Sequence, residues 1–180
     1  HDLVGLSMTG GLMKSVVPFQ GREPRYGTNP ISIAIPAGEM PPYVLDMATT
    51  TVAGGKIVNA VRDGRSIPPT YALGHDGRPT TDPAEALAAR RMLPLGATKE
   101  GSGHKGYGLA TMVEILCSVL VGHEAFAGES REIGHFLLAL DPARLGGERF
   151  GQRLDAFVDS LRQTPTLDPA QPVLVAGDPE

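Results

Sequence analysis

Residues Gly101–Gly122, GSGHKGYGLATMVEILCSVLVG, join a polar, glycine-rich loop to the most apolar run of the chain. Leu109, Met112, Val113, Leu116 and Leu120 recur at helical spacing, and Glu114 is the only charge across three turns. The pattern predicts a buried helix. Four glycines surround His104, Lys105 and Tyr107, so the backbone can approach a ligand while the first N–H groups of the helix point toward it. Lys105 adds a full charge to the partial positive charge of the helix start, which makes a phosphate or carboxylate the natural guest. The same residues also describe a tight loop with a solvated lysine, and the local sequence leaves both readings open.

Around this stretch, 180 residues suffice for one domain with a real core, or for one domain and part of another. A net charge of −4, with no Lys/Arg run interleaved with aromatics, argues against a nucleic-acid partner. No apolar run reaches membrane-spanning length. The single cysteine, Cys117, cannot form an internal disulfide and sits on the apolar helix, where a small buried hydrophobe is expected; this fits a reducing cytoplasm. The chain opens at His1 without a methionine, so an incomplete chain is expected and targeting signals are not judged.

Upstream, Leu3–Met8 reads as a short buried strand broken by the turn Thr9-Gly10-Gly11. Ile31, Ile33 and Ile35 alternate with Ser32 and Ala34 as a second strand, and Tyr43-Val44-Leu45, ending at Asp46, pairs with it antiparallel. Beyond Asp46-Met47-Ala48, a helix places Val52, Ala53, Ile57, Ala60 and Val61 on one side, with Thr49 or Thr50 as its cap. Strand, carboxylate, tight turn and helix start form an order used for nucleotides: N–H groups meet phosphate while the acid accepts from a ribose hydroxyl. No GxGxxG accompanies it, and Asp46 has the alternative role of accepting backbone N–H bonds. Asp76-Gly77 marks a turn beside a surface His75, and Asp82, Pro83 and Glu85 start a short helix by ordinary capping.

Past the central helix, residues 121–134 read as polar and irregular, and His123 has no partner at metal-ligand spacing. His135–Asp141 reads as a strand buried on both faces, and Phe150, Leu154, Phe157, Val158 and Leu161 define a last amphipathic helix. The turn Ala176-Gly177-Asp178-Pro179 exposes N–H groups to a ligand, with fraying the default so near a terminus. No GxSxG elbow supports nucleophilic catalysis.

Five phrases, RYGTNPISIAIP, YVLDMATTTVAGGK, GRPTTDPAEAL, LPLGATKEGSGHKGYGLATMVEIL and IGHFLLALDP, stand in an order and spacing that resemble the malate/L-lactate dehydrogenase family of NAD(P)-dependent oxidoreductases. That family also includes ureidoglycolate, sulfolactate and diketogulonate reductases. The resemblance implies an α/β fold, a mixed sheet flanked by helices that binds NAD or NADP without a Rossmann motif. It further implies a cytoplasmic homodimer. The implied reaction is hydride transfer between a small 2-hydroxy acid, of malate or lactate type, and its 2-oxo acid. Cofactor contacts carry over to Asp46, Met47 and Ala48, to Lys105 with His104 beside it, and to Gly177 and Asp178. Alanine at 176 replaces a usual proline. A small polar residue of the family falls at Gly11, where only the backbone can serve. The family's catalytic histidine and substrate-binding arginine match no residue here. Residues 1–180 are therefore expected to be a cofactor-binding domain lacking an N-terminal catalytic segment and a C-terminal tail, with a shortened stretch between Gly122 and Ile133. A non-catalytic binding or dimer-forming module is the competing reading.

Overall fold

Four strands and five helices make up the computed structural model, which describes residues 2–11, 13–124 and 132–179. The strands are β1 (Val4–Gly10), β2 (Ile31–Ile35), β3 (Tyr43–Met47) and β4 (Gly134–Leu140). The helices are α1 (Gly54–Arg62), α2 (Pro83–Ala89), α3 (Gly103–Glu114), α4 (Pro142–Gly146) and α5 (Phe150–Arg162). The strands form one antiparallel sheet in the order β3-β2-β1-β4, where the resemblance led us to expect a mixed one. Of the polar stretch expected at 121–134, residues 125–131 lie outside the described residues. No helix among the described residues is long and apolar enough to cross a membrane.

The chain divides into two compact units. The first comprises residues 1–7, 32–46 and 137–180: most of the sheet, α4, α5 and the C-terminal turn. Asp155 of α5 accepts N–H bonds from Gly38 (3.0 Å) and Glu39 (2.8 Å), which ties that helix to the β2–β3 turn. Within α5, Val158 is buried as the periodicity requires, whereas Phe157 stays 59% exposed. β4 departs further from expectation. It is an edge strand, and Leu137 is 74% exposed, so the run is not buried on both faces.

The second unit, residues 8–31 and 47–136, holds α1 to α3 and the main core. Ile57 and Ala60 of α1 meet Ala86 of α2, Ala110 of α3 and the loop residues Val16, Tyr26, Ala72 and Met92. Asp82 caps α2 by accepting from Ala84 N at 2.8 Å, as its sequence predicts. The expected threonine cap of α1 does not form: the cap position is Ala53, with no side-chain bond. Thr49 and Thr50 instead donate their hydroxyls to carbonyls, Thr49 to Thr28 O (3.0 Å) and Asn29 O (3.1 Å), Thr50 to Val52 O (2.7 Å).

The central helix is buried on a face that shares Val113 with the one hydropathy selects and otherwise differs from it. Gly103, Gly106, Ala110, Val113 and Cys117, spaced 3, 4, 3 and 4 residues apart, are the buried positions, and the last lies in a π-helical turn (Ile115–Val119) that continues α3. Leu109 (38% exposed), Met112 (37%) and Leu120 (66%) lie outward. Close approach explains the inversion. A Cβ on Gly106 would stand 2.6 Å from Leu95 N, and one on Gly103 2.7 Å from the Ala97 carbonyl carbon, so only the small face fits against that loop. Cys117 is fully buried as expected; burial pushes its thiol up and keeps it protonated and inert.

Candidate functional site

The loop before α3 is wound so tightly that most of its glycines answer to packing. Added Cβ atoms on Gly96 and Gly101 would collide with each other's backbone, and Ala97 and Ser102 take left-handed conformations (φ 46° and 59°). The N–H groups of Gly103 and Lys105 already donate to Thr98 O (2.8 Å) and Ser102 O (2.9 Å). Two donors of the helix start are thereby spent, which leaves Lys105, exposed and without a described partner, as its main anion-directed group. His104 is also exposed; its ring lies edge-on to Phe19 with centroids 6.0 Å apart. Gly108 faces open space, so on this helix it is the glycine a ligand could approach.

Tyr107 stacks on Tyr26 at 6.3 Å, and the Tyr26 hydroxyl donates to Val17 O at 3.2 Å. Burial, then the neighbouring Tyr107, raises the Tyr26 phenol far above its ordinary range, so it acts as a neutral donor. Met47 and Ala48 are half-buried, and the backbone that follows them is fixed by Thr49 N to Thr28 O (3.0 Å) and Leu95 N to Thr49 O (3.0 Å). At the start of α1 Gly54 and Gly55 have nothing within 4 Å of an added Cβ, an open helix N-terminus of the kind that admits a phosphate group.

Gly11 has φ +79°, and a Cβ there would run into the backbone of Glu132, so no other residue fits. Its N–H donates weakly, at 3.4 Å, to Glu114 Oε2. The same oxygen accepts from Asn29 Nδ2 at 2.9 Å, and Nδ2 also donates to Ala110 O at 2.8 Å. Asn29 is fully buried at φ 41°, and its Oδ1 and the Ser118 hydroxyl have no hydrogen-bond partner among the described residues. Glu114, the lone carboxylate of the apolar helix, thus anchors the turn that the resemblance assigns to cofactor. Sequence reasoning passed over both Glu114 and Asn29, although a single carboxylate among leucines and valines was the signal. It also passed over a cavity of about 490 Å³ between α1 and α2, whose walls include Met13, Ser15, Thr28, Ile57 and Arg90. Arg90 closes α2 in a left-handed conformation (φ 52°).

In the first unit, Asp46 is exposed near the end of β3, and no described backbone N–H donates to its carboxylate. The self-capping alternative fails, which leaves a carboxylate that can accept from an external hydroxyl. The turn at Gly177 and Asp178 does not fray. Val44 N of β3 donates to Ala176 O at 3.1 Å, while Asp178 accepts from Arg162 Nη2 (2.6 Å) and Val175 N (2.9 Å). The Val175 N–H and then the Arg162 guanidinium hold the Asp178 carboxyl below its ordinary range. Asp178 is thus engaged internally, and Gly177 (φ +103°) brings the turn against Pro42 and Val44. Beside these strands, Gly5, Ser7, Ser32 and Ala34 floor a cavity of about 500 Å³ with Leu137 and Leu138 at its wall.

The second unit thus offers an open helix start and Lys105, and the first offers Asp46, groups without partners among the described residues and chemically able to meet a phosphate or a hydroxyl. The family model described as malate/L-lactate dehydrogenase matches residues 1–180, and the chain belongs to that family. It is 38% identical over 172 residues to Delta(1)-pyrroline-2-carboxylate/Delta(1)-piperideine-2-carboxylate reductase of Pseudomonas putida, covering 90% of this chain and 48% of that protein. It is also 38% identical to malate/(S)-sulfolactate dehydrogenase of Methanothermus fervidus, covering 100% of this chain and 52% of the relative. Malate dehydrogenase of Entamoeba histolytica superimposes with a TM-score of 0.86 at 29% identity, over 98% of this chain and 53% of that one. The chain spans about half the length of the curated relatives it matches.

Proposed function

We propose that these 180 residues are the cofactor-binding part of an NAD(P)-dependent oxidoreductase that interconverts a small 2-hydroxy acid and its 2-oxo acid. The observation that carries the reading is the family match through the whole chain, together with Asp46 and Lys105 standing exposed without described partners. When bound, the nicotinamide supplies the hydride acceptor or donor. The residues present fit such a group: the Asp46 carboxylate suits a ribose hydroxyl, and Gly54 and Gly55 leave room for phosphate at the start of α1. Lys105 suits a phosphate, a ribose hydroxyl or a substrate carboxylate. The same reading gives cofactor contacts to Gly11, Met47, Ala48 and His104 of the second unit and, separately, to Gly177 of the first, whose turn Asp178 keeps in place.

The proton-transferring histidine and the carboxylate-binding arginine that the resemblance calls for are assigned to no residue of this chain. The names of the relatives bracket the substrate: sulfolactate and malate carry a hydroxyl beside a carboxylate, and pyrroline-2-carboxylate carries an imine there. Their common feature is a carbon next to a carboxylate that gains or loses hydride, C–OH against C=O or C–NH against C=N. A homodimer is part of the same reading, supported by the outward apolar residues Leu109, Met112 and Leu120. So is a cytoplasmic location, supported by the lone buried Cys117. The reading is tested by titrating NADH and NADPH into the protein and its Lys105→Ala and Asp46→Asn variants, following nicotinamide fluorescence. Each variant is expected to weaken binding about tenfold, the loss of one charge-assisted contact. Unchanged affinity for both nucleotides in both variants would remove these residues from the site.

A further inference from the structure

Helix α1 borders a second cavity, of about 320 Å³, lined by Lys56, Asn59, Arg65, Ser66 and Tyr71 over a floor that includes Ile67. Its composition runs against that of the chain. The protein carries a net charge of −4, yet this basin has two cationic side chains in its wall and no carboxylate. Lys56 and Asn59 lie three residues apart on one side of α1, so their side chains share a face. Arg65 enters from the turn that ends the helix, where its N–H donates to Ala60 O at 2.9 Å. The rest of the wall is also fixed by backbone bonds, Ile67 N to Thr81 O at 3.0 Å and Tyr71 N to Pro68 O at 3.1 Å.

The nearest acid, Asp63, is occupied. It accepts from Arg65 Nη2 at 2.9 Å and from Arg62 Nε at 3.2 Å, and these two bonds, Arg65 first, hold its carboxyl below the ordinary range. That contact orients the Arg65 guanidinium through one nitrogen and leaves its other N–H groups without described partners. Lys56 likewise has no described partner. Two cations and three neutral hydrogen-bonding side chains around one small volume exceed what a carboxylate, with two oxygens, can use. They suit a dianion with three terminal oxygens.

We propose that this basin is a phosphate-monoester site, in which Lys56 and Arg65 supply charge and Asn59, Ser66 and Tyr71 supply neutral hydrogen bonds. The chemistry is common to the 2′-phosphate of NADP(H) and to a separate phosphorylated molecule. Only the first source rests on the cofactor reading above.

The test uses the full chain and its Lys56→Gln/Arg65→Gln double variant, with Arg78→Gln as a control that removes an exposed cation outside the cavity. Inorganic phosphate is titrated by calorimetry, then NADPH and NADH by fluorescence. Saturable phosphate binding that weakens at least about tenfold in the double variant, and not in the control, is the expected result. Absence of saturable phosphate binding, or equal affinity in the double variant, overturns the proposal. If the double variant also loses NADPH affinity but keeps that for NADH, the phosphate is the cofactor's. If both nucleotides bind the variant as before, the phosphate belongs to another molecule. Equal loss of both overturns the proposal, because the cations would then read the pyrophosphate that the two share. Should neither nucleotide bind the parent protein, the cofactor reading falls while the phosphate titration still decides the basin.

Discussion

Two glycines on α3, two residues apart, should respond with opposite signs to the same substitution. At Gly106 an added Cβ would run into the backbone of Leu95, its carbonyl oxygen nearest and its nitrogen at 2.6 Å against roughly 3.4 Å for an ordinary contact, so helix and loop must part by more than about 0.8 Å. That separation pulls on the Leu95 N–H, which donates to Thr49 O at 3.0 Å and holds the passage that follows Met47 and Ala48. Overpacking of this kind costs ~1–3 kcal/mol and a weakened hydrogen bond ~1, while the better helix propensity of alanine returns ~1. Gly106→Ala should therefore lose about 2 kcal/mol. At Gly108 nothing lies within 4 Å, only the propensity gain applies, and Gly108→Ala should gain up to about 1 kcal/mol. For a chain of 180 residues these become a fall of about 4–8 °C and a rise of about 2–4 °C in Tm, read by circular dichroism. Nucleotide titration adds a second readout: if a ligand approaches α3, Gly108→Ala should weaken binding while raising Tm. Two shifts of the same sign would refute the claim that α3 is docked by its glycine face.

The buried Asn29 bridges Ala110 O and Glu114, and Asn29→Ala takes a donor from both, leaving Glu114 only the weak Gly11 N–H bond; a loss of about 2–3 kcal/mol in urea unfolding is expected, and less than 1 kcal/mol would sink the bridge. Asp178 has its pKa depressed in the folded chain, so its contribution is fully present above the ordinary carboxylate value and is lost as pH falls through the lower folded one. The protection factor of the Val175 amide should fall over that acid window in the parent, whereas in Asp178→Asn it should be low at neutral pH and flat through the same window. Leu120, 66% exposed, should tolerate Leu120→Glu with little change in Tm, yet the variant should elute as a smaller species if the apolar face carries the dimer. Unchanged mass by light scattering would dismiss that face.

Much of the architecture could be read in the sequence because its signals were local. The alternation Ile31-Ser32-Ile33-Ala34-Ile35 gave β2, and Asp82-Pro83 marked the start of α2 to the residue. What misled was burial, which is decided between elements. Hydropathy turned Leu109 and Met112 inward on α3, because periodicity measures how apolar a face is and not how closely its neighbour must come. HFLLALD met the same limit: an apolar run shows that a strand could be buried, not that it has partners on both sides, and β4 is at the edge. Thr49 and Thr50 failed as caps for a related reason, since a hydroxyl next to a helix start takes whichever carbonyl the tertiary fold presents.

Site residues followed the same division. The exposure of Asp46 and Lys105 accords with a strand end and a loop-to-helix junction, positions that sequence marks well. Glu114 and Asn29 lie 85 residues apart, and no spacing rule connects them; only the fold shows that the one carboxylate on the apolar helix is satisfied by a buried amide and by the N–H of Gly11. A carboxylate in such a place would be costly if unpaired, and its two donors relieve that cost by fixing the turn at the end of β1. Gly10 and Gly11 give that turn no side chain of their own to stabilise it. Its shape is therefore set from outside, by a helix distant in sequence, and changes at Glu114 or Asn29 should reach the proposed cofactor contact at Gly11 without either side chain touching a ligand.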